Sequence, residues 1–542
     1  MKTAPFFLLL SLAPLLHAEP PKLDSLFPAG GQSGTSFTLT TGGKLDDKVS
    51  LWTEASGVHF IPTGKKGEWQ STVTARAQSG IHLVYAYNNE GVSEPRPFSI
   101  GHFPELAETE PNNEAGKGQV ITKLPVCINA RLGERGDVDG YSVQLKKGQT
   151  LVAIVEAYAL GSPVDVMAHI LDPEGRRVLT VSDGRNLDPM LAFQAEKDGL
   201  FTVQLAGFIH PPAADIKFTG SSNTIYRLHL STGPVVTQVY PAAIARQGKT
   251  EVELLGYNLD PKKAHLTIDA STIRHSGNDT LIDPKNCIQP IQVITTEKPP
   301  LLEKEPNNSA PEATPVQSGT VAAGRILDKT DVDRYMLIQK KGEKMQARIK
   351  AKQLGLPLDA TLKVEGPDGQ IIVTSIDQGD QADPTVAWTA TAEGAHQLIV
   401  EDQFHRGGPN HHYIMEIGLP KPTYSVTLPE RKPVILECGK TLGVKMNVKM
   451  LNGFKEPLIA RASGLPAGVH APDVEVPVKG GEVVLKLVAA SNATPATQPI
   501  TFQVWTTKEP ASQITADYPL MSEDMRGTTL KDRTSWFWLI VR

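Results

Sequence analysis

The feature that most restricts this chain is a long internal repeat. The string ETEPNN at Glu108–Asn113 is followed by GDVDGY at Gly136–Tyr141, and the pair returns as EKEPNN at Glu303–Asn308 and TDVDRY at Thr330–Tyr335. The register then holds. LKKGQTLVAIVEAYALGSPVDVMAHILDPEG (Leu145–Gly175) lies over Gln339–Gly369 without a gap, Asp188-Pro189 answers Asp383-Pro384, and Gly199 answers Gly394. A weaker repeat precedes each unit: Leu23–Leu45 matches Val236–Leu259, with Pro28 over Pro241 and Gly34 over Gly248. A chain that spells its units twice folds them twice, so a single large core is excluded and the order is A-B-A′-B′, with a different section after Pro420.

Within the repeats apolar residues alternate, as in Leu151-Ala153-Val155 and Met345-Ala347-Ile349, and Lys-Gly, Pro-Glu-Gly and Pro-Asp-Gly separate the runs. Period two with tight turns specifies antiparallel strands with one face in a core. The 46 glycines and 42 prolines among 542 residues agree with a turn-rich β chain. The expected fold is therefore all-β, a multi-domain string of antiparallel β-sandwiches. Its expected divisions are a signal peptide at 1–18, A at 19–104, B at 105–233, a truncated A′ at 234–298, B′ at 299–420 and a C-terminal module at 421–542.

The N-terminus has the layout of a secretory signal: Lys2, an apolar run from Phe6 to Leu16, and Ala18 before the polar Glu19-Pro20. Export to the periplasm, cell surface or exterior is expected, with no transmembrane segment, since no later run of about 18 apolar residues exists. Lys plus Arg number 54 against 59 Asp plus Glu, without a long basic run, which leaves nucleic acid no electrostatic footprint. Cys127, Cys287 and Cys438 are too far apart to read as a disulfide framework and are expected to pack as small hydrophobes.

On the strings E-P-N-N, D-V-D-x-Y, K-K-G, L-G-x-P-x-D and D-P, with a closing Tyr226 to Leu230 and Tyr413 to Ile417, both B units resemble the bacterial pre-peptidase C-terminal domain. That resemblance implies a small jelly-roll-like β-sandwich of the kind found in secreted peptidases and envelope proteins. The A units resemble the immunoglobulin-like TIG/IPT fold. The last module, with GLPAGV before a strand, resembles the Ig-like ends of large secreted proteins of planctomycete-type bacteria, and the order of modules is similar to theirs.

Glu108, Glu110, Asn112, Asn113, Asp137 and Asp139, with Glu303, Glu305, Asn307, Asn308, Asp331 and Asp333, are the candidate metal ligands. They offer only hard oxygen donors, which suits calcium in its usual coordination of six to eight. Two carboxylates at i and i+2 on an extended segment project to one side and can converge if that segment docks on the D-V-D turn. The plainer reading is that Asn and Asp make Asx turns at strand starts. Kinship with the collagenase members of the family implies that an acidic E-x-E-x-N segment and acids before the D-Y strand hold Ca2+.

His405, His411 and His412 in FHRGGPNHHY lack zinc-site spacing and read as a solvated loop before a strand. SGTSF (Ser33–Phe37) contains a tripeptide seen around subtilase nucleophiles, but it precedes an alternating strand with no partnered His and Asp motifs. No enzyme is expected. The leading expectation is a monomeric, exported binding, adhesion or assembly scaffold whose short Pro-rich linkers give an elongated string, with an extracellular or envelope protein or polysaccharide as partner. The alternatives are a substrate-binding accessory protein of a secreted peptidase or polysaccharide-degrading system, and a secreted peptidase.

Overall fold

A computed structural model describes residues 19–114, 116–210, 212, 217–276, 279–376, 383–419, 422–428, 433–507, 513–520 and 533–542. The expected signal peptide lies outside the described residues. The chain is all-β, built from facing sheets around separate apolar cores. Helix is limited, among the described residues, to four single 3-10 turns, and none of the helices is long and apolar enough to cross a membrane.

Among the described residues the two B units share their strand order, and B adds a short edge strand, Gly184–Arg185, beside Asp188–Gln194. In B one sheet runs Glu105–Ala107, Val126–Arg131, Ile225–Ser231, Thr150–Glu156, Asp188–Gln194, and the other Gln119–Ile121, Asp139–Leu145, Gly199–Ile209, Val164–Leu171, Arg177–Val181. In B′ the sheets run Leu301–Leu302, Val321–Arg325, His412–Gly418, Lys344–Lys350, Thr385–Thr389 and Thr314–Val316, Asp333–Gln339, Gly394–Asp402, Ala360–Glu365, Ile371–Ser375. Alternate residues fill the cores: Leu151, Ala153 and Val155 in B, and Met345, Ala347 and Ile349 in B′. Trp388 is buried there as well, and its indole N–H donates to Gln339 at 2.8 Å.

Each B unit is entered and left at one end. Glu105 is level with Cys127 and Cys127 with His229, so the inbound strand and the outbound strand Ile225–Ser231 flank a single strand, about 10 Å apart. Leu301, Ala322 and Met415 repeat the arrangement. The modules consequently do not lie end to end as the elongated reading has it. With B hanging to one side, A and A′ touch: Ser79 and His102 both reach Asp283, and Gln289 Nε2 donates to Ser99 Oγ at 2.8 Å.

Where A, B and A′ meet, the fully buried Glu156 carboxylate accepts from Ser99 Oγ of A at 2.9 Å and Gln289 Nε2 of A′ at 2.6 Å. On its own sheet it lies 3.2 Å from His229 Nε2 and 3.6 Å from Arg227 Nε. Arg227 also donates to Glu105 at 2.7 Å and to Asn129 at 2.9 Å. Burial would raise Glu156, but His229 and Arg227 outweigh it and hold the carboxyl down at about 2. Burial would lower His229, yet Cys127 and Glu156 lift it to about 10.

The C-terminal module folds back onto A. Trp52 meets Trp536 and Trp538 edge-on, with ring centroids 5.1 and 5.6 Å away, and Tyr85 and Tyr87 each lie 5.3 Å from Trp538. Arg542 donates to the Glu90 carbonyl at 2.9 Å. The closing run Phe537–Val541 is a buried strand, as its apolar sequence suggests.

Candidate metal centre

Each inbound segment pairs with one sheet and then with the other. Glu105–Ala107 runs parallel to Val126–Arg131, and Gln119–Ile121 runs parallel to Asp139–Leu145 in the facing sheet. Leu301–Leu302 and Thr314–Val316 do the same in B′. The E-x-E-P-N-N motif is the crossing between sheets, and the crossing passes over the start of the D-x-Y strand. In B the Gly140 amide donates to the Asn112 carbonyl at 3.1 Å and pins it there.

One carboxylate oxygen from each of Glu108, Glu110 and Asp139 lies within 4.8 Å of the others, and Glu303, Glu305 and Asp333 repeat the group. Each acid is anchored through at least one oxygen. Glu108 Oε1 accepts from the Arg131 amide at 2.9 Å and Glu303 Oε1 from the Arg325 amide at 2.6 Å. Glu110 and Glu305 accept from the amides of Asn112 (2.8 Å) and Asn307 (2.9 Å). Asp139 accepts from the Tyr226 hydroxyl, and Asp333 from the Tyr413 hydroxyl at 2.6 Å. Behind these stand Tyr141, 2.6 Å from Tyr226, and Tyr335, 2.9 Å from Tyr413.

Glu303 Oε2 accepts from the Tyr335 hydroxyl at 3.3 Å, whereas several other oxygens are left over. Glu108 Oε2, Asp139 Oδ1, Asp333 Oδ1, Asn112 Oδ1 and Asn307 Oδ1 are buried without a hydrogen-bond partner. Each such group costs about 1–3 kcal/mol, more when charged, unless something satisfies it. A hard cation would satisfy several at once, and an all-oxygen donor set suits such an ion.

The other ligands suggested by the spacing tie down loops. Asp137 accepts from Asn113 Nδ2 at 3.0 Å and from the Gly133 amide at 2.6 Å. Asp331 accepts from the Leu327 amide at 2.6 Å, and Asn308 from the Val332 amide at 2.9 Å. The converging group is thus smaller than the motif, and the remaining Asp and Asn side chains make the loop hydrogen bonds of the plainer reading. The Tyr pairs were the part missed, although both tyrosines recur in the repeat.

Electrostatics follows from crowding acids in a poorly solvated place. Burial, then Glu110 and Asp137, push Glu108 up to about 8 against the Arg131 amide. Burial raises Asp139 to about 8 despite the Tyr226 bond, and Glu303 to about 7; burial and Glu303 push Asp333 well above the usual range. These folded values exceed the unfolded ones. The stabilisation from neutral carboxyls is therefore full below about pH 4 and disappears as pH rises through 7–8, leaving a charge deficit that a cation would fill.

The other candidates fall elsewhere. Cys127 and Cys287 are buried, Cys438 is half-buried, and none of the three forms a disulfide. Ser36 lies at the start of the strand Thr35–Lys44 with its Oγ 2.9 Å from Thr72 Oγ1. His405 lies in a loop as expected, but His412 is a buried strand residue and not part of a solvated loop.

No protein-family model matches the chain, and no curated protein does. Among solved structures, the chain is similar over 21% of its length to the pre-peptidase C-terminal domain of collagenase from Bacillus anthracis. The identity is 12%, 98% of that chain is covered, and the TM-score is 0.17. It is also similar to PliG, a periplasmic lysozyme inhibitor of Aeromonas hydrophila, at 18% identity over 19% of this chain and 91% of that one, TM-score 0.16. Sidekick-1 immunoglobulin domains 1-4 match at 9% identity over 95% of this chain and 96% of that one, TM-score 0.21.

Proposed function

We propose that the chain is an exported, non-catalytic scaffold for binding or assembly at the bacterial envelope or exterior, with calcium held in each B unit. The observation that carries this reading is the recurrence, in both copies, of three converging carboxylates beside buried, unpaired oxygen donors. Calcium would join the inbound crossing to the D-x-Y strand, so the ion would fix how each B unit is attached. Zinc prefers nitrogen and sulfur ligands, and magnesium demands stricter geometry with retained water. The partner would be an extracellular or envelope protein or polysaccharide.

Titration calorimetry of the full chain is expected to give two calcium equivalents, with E110Q and E305Q each removing one. Preferential binding to the folded state stabilises by RT ln(1 + [L]/Kd), about 2.7 kcal/mol at a hundredfold excess. Melting should therefore rise with calcium and fall with chelator, more at pH 8 than at pH 6. No heat of binding together with an unchanged melting temperature would remove calcium from the reading.

General protease and esterase substrates should not be turned over. Hydrolysis abolished by Ser36→Ala would replace the scaffold reading with a peptidase.

A further inference from the structure

The joint between an A-type module and the following B-type module has been copied with one telling change. In the first joint Arg131 pairs across the ladder with Ile225, and its guanidinium lies 3.7 Å from the Phe27 ring centroid. Ile225 packs with Ala29 and Phe27 of A in an apolar cluster. In the second joint Arg325 pairs with His412 and lies 4.1 Å from the Tyr240 ring centroid. Tyr240 in turn meets His412 edge-on, with ring centroids 5.6 Å apart. Phe27-Pro28 and Tyr240-Pro241 hold the same place in the two A-type modules. An imidazole has taken the place of an apolar side chain.

His412 is fully buried, and neither ring nitrogen has a hydrogen-bond partner. Its surroundings suit the neutral ring only. Arg325 beside it is already cationic, and His411 adds a second repelling group once charged. On the adjoining strand Lys350 is paired with Glu416 at 2.9 Å. The carboxylates on this side each have another partner: Glu253 of A′ pairs with Arg325 at 2.7 Å, Glu303 accepts from the Arg325 amide, and Asp333 accepts from Tyr413 through one of its two oxygens. The Tyr240 hydroxyl donates to the Ala323 carbonyl at 3.2 Å and so holds A′ over the ring.

We propose that His412 makes the A′–B′ joint releasable by acid, whereas the A–B joint, with Ile225 in its place, stays shut. A proton on His412 puts a cation beside Arg325 in an apolar pocket with no acceptor. Relief comes from hydrating the ring, which requires Tyr240 and its module to move off. Burial, helped by Arg325 and His411, holds the ring down at about 3, against 6.5 for an unburied imidazole. The depressed folded value sets the sign: the joint is at full strength above about pH 6.5 and weakens as pH falls below it. One proton taken up on opening means about a tenfold rise in the opening constant per pH unit.

Hydrogen exchange on the full chain, corrected for intrinsic chemistry, tests this between pH 7.5 and 4.5. Peptides covering Val235–Tyr240 and His412–Gly418 should lose about fiftyfold of protection between pH 6.5 and 4.5, while peptides around Phe27 and Ile225 should not. The acidic clusters respond to pH in the opposite sense, so the comparison is with His412→Ile, which should abolish the acid response; His411→Gln should keep it. An equal response in His412→Ile would overturn the proposal. Should that variant fold poorly, NMR titration of histidine-labelled wild-type chain decides: a His412 value at or above 6.5 overturns it, and one well below supports it.

Discussion

Replacing Glu156 with alanine is expected to destabilise the A–B–A′ junction by about 3–5 kcal/mol, the usual result of removing one partner from a buried ion pair. The change removes the carboxylate beside His229, leaves Arg227 with Glu105 and Asn129 alone, and takes an acceptor from Ser99 and from Gln289. The second repeat supplies the control. There Lys350 and Glu416 stand on the corresponding strands at 2.9 Å, but Glu416 is 41% exposed, so Glu416→Ala should cost no more than about 1 kcal/mol. A chain of several cores is not two-state, and local amide exchange in Ile225–Ser231 is the appropriate measurement. A loss no larger than that of Glu416→Ala would refute the assignment.

The junction has its own pH window. His229 is raised, so its contribution is complete below about 6.5 and is lost as pH climbs through about 10. Glu156 is lowered, so its contribution is complete above about 4.5 and is lost as pH falls through about 2. Both act fully between roughly pH 4.5 and 6.5.

Trp538→Ala is expected to cost about 3–5 kcal/mol, the range for deleting a large buried aromatic side chain. Its indole is 3% exposed and lies within 6 Å of Trp52, Tyr85 and Tyr87 of A. The expected outcome is undocking of the C-terminal module from A, read as a red shift and easier quenching of Trp52 and Trp536 fluorescence. Trp538→Phe should retain most of the contact. Unchanged emission in Trp538→Ala would show that the two modules are not held together there.

The fold was legible because it is written twice. Alternation in Leu151–Val155 and Met345–Ile349 survives in the structure, since one face of each strand meets a core and the turns between are marked by glycine. The acidic crossing was legible for the same reason. The Glu156 junction was not. Its counterparts are Lys350 and Glu416, so the charges are exchanged between copies and no string recurs. Arg227 and His229 alternate with core residues and read as solvent-facing, until A and A′ cover that face. His412 was hidden in the same way, by a module whose approach no local pattern encodes.

Entering and leaving each B unit at one end has a mechanical consequence. Tension passed along the chain pulls the inbound and outbound strands apart at that end, so it peels the few rungs of Glu105–Ala107 one after another and bypasses the sandwich core. Peeling next reaches Glu108, bonded to the Arg131 amide and placed among the converging acids. A cation bound there would act as a stop, and the force needed to extend the chain would then depend on the calcium around it.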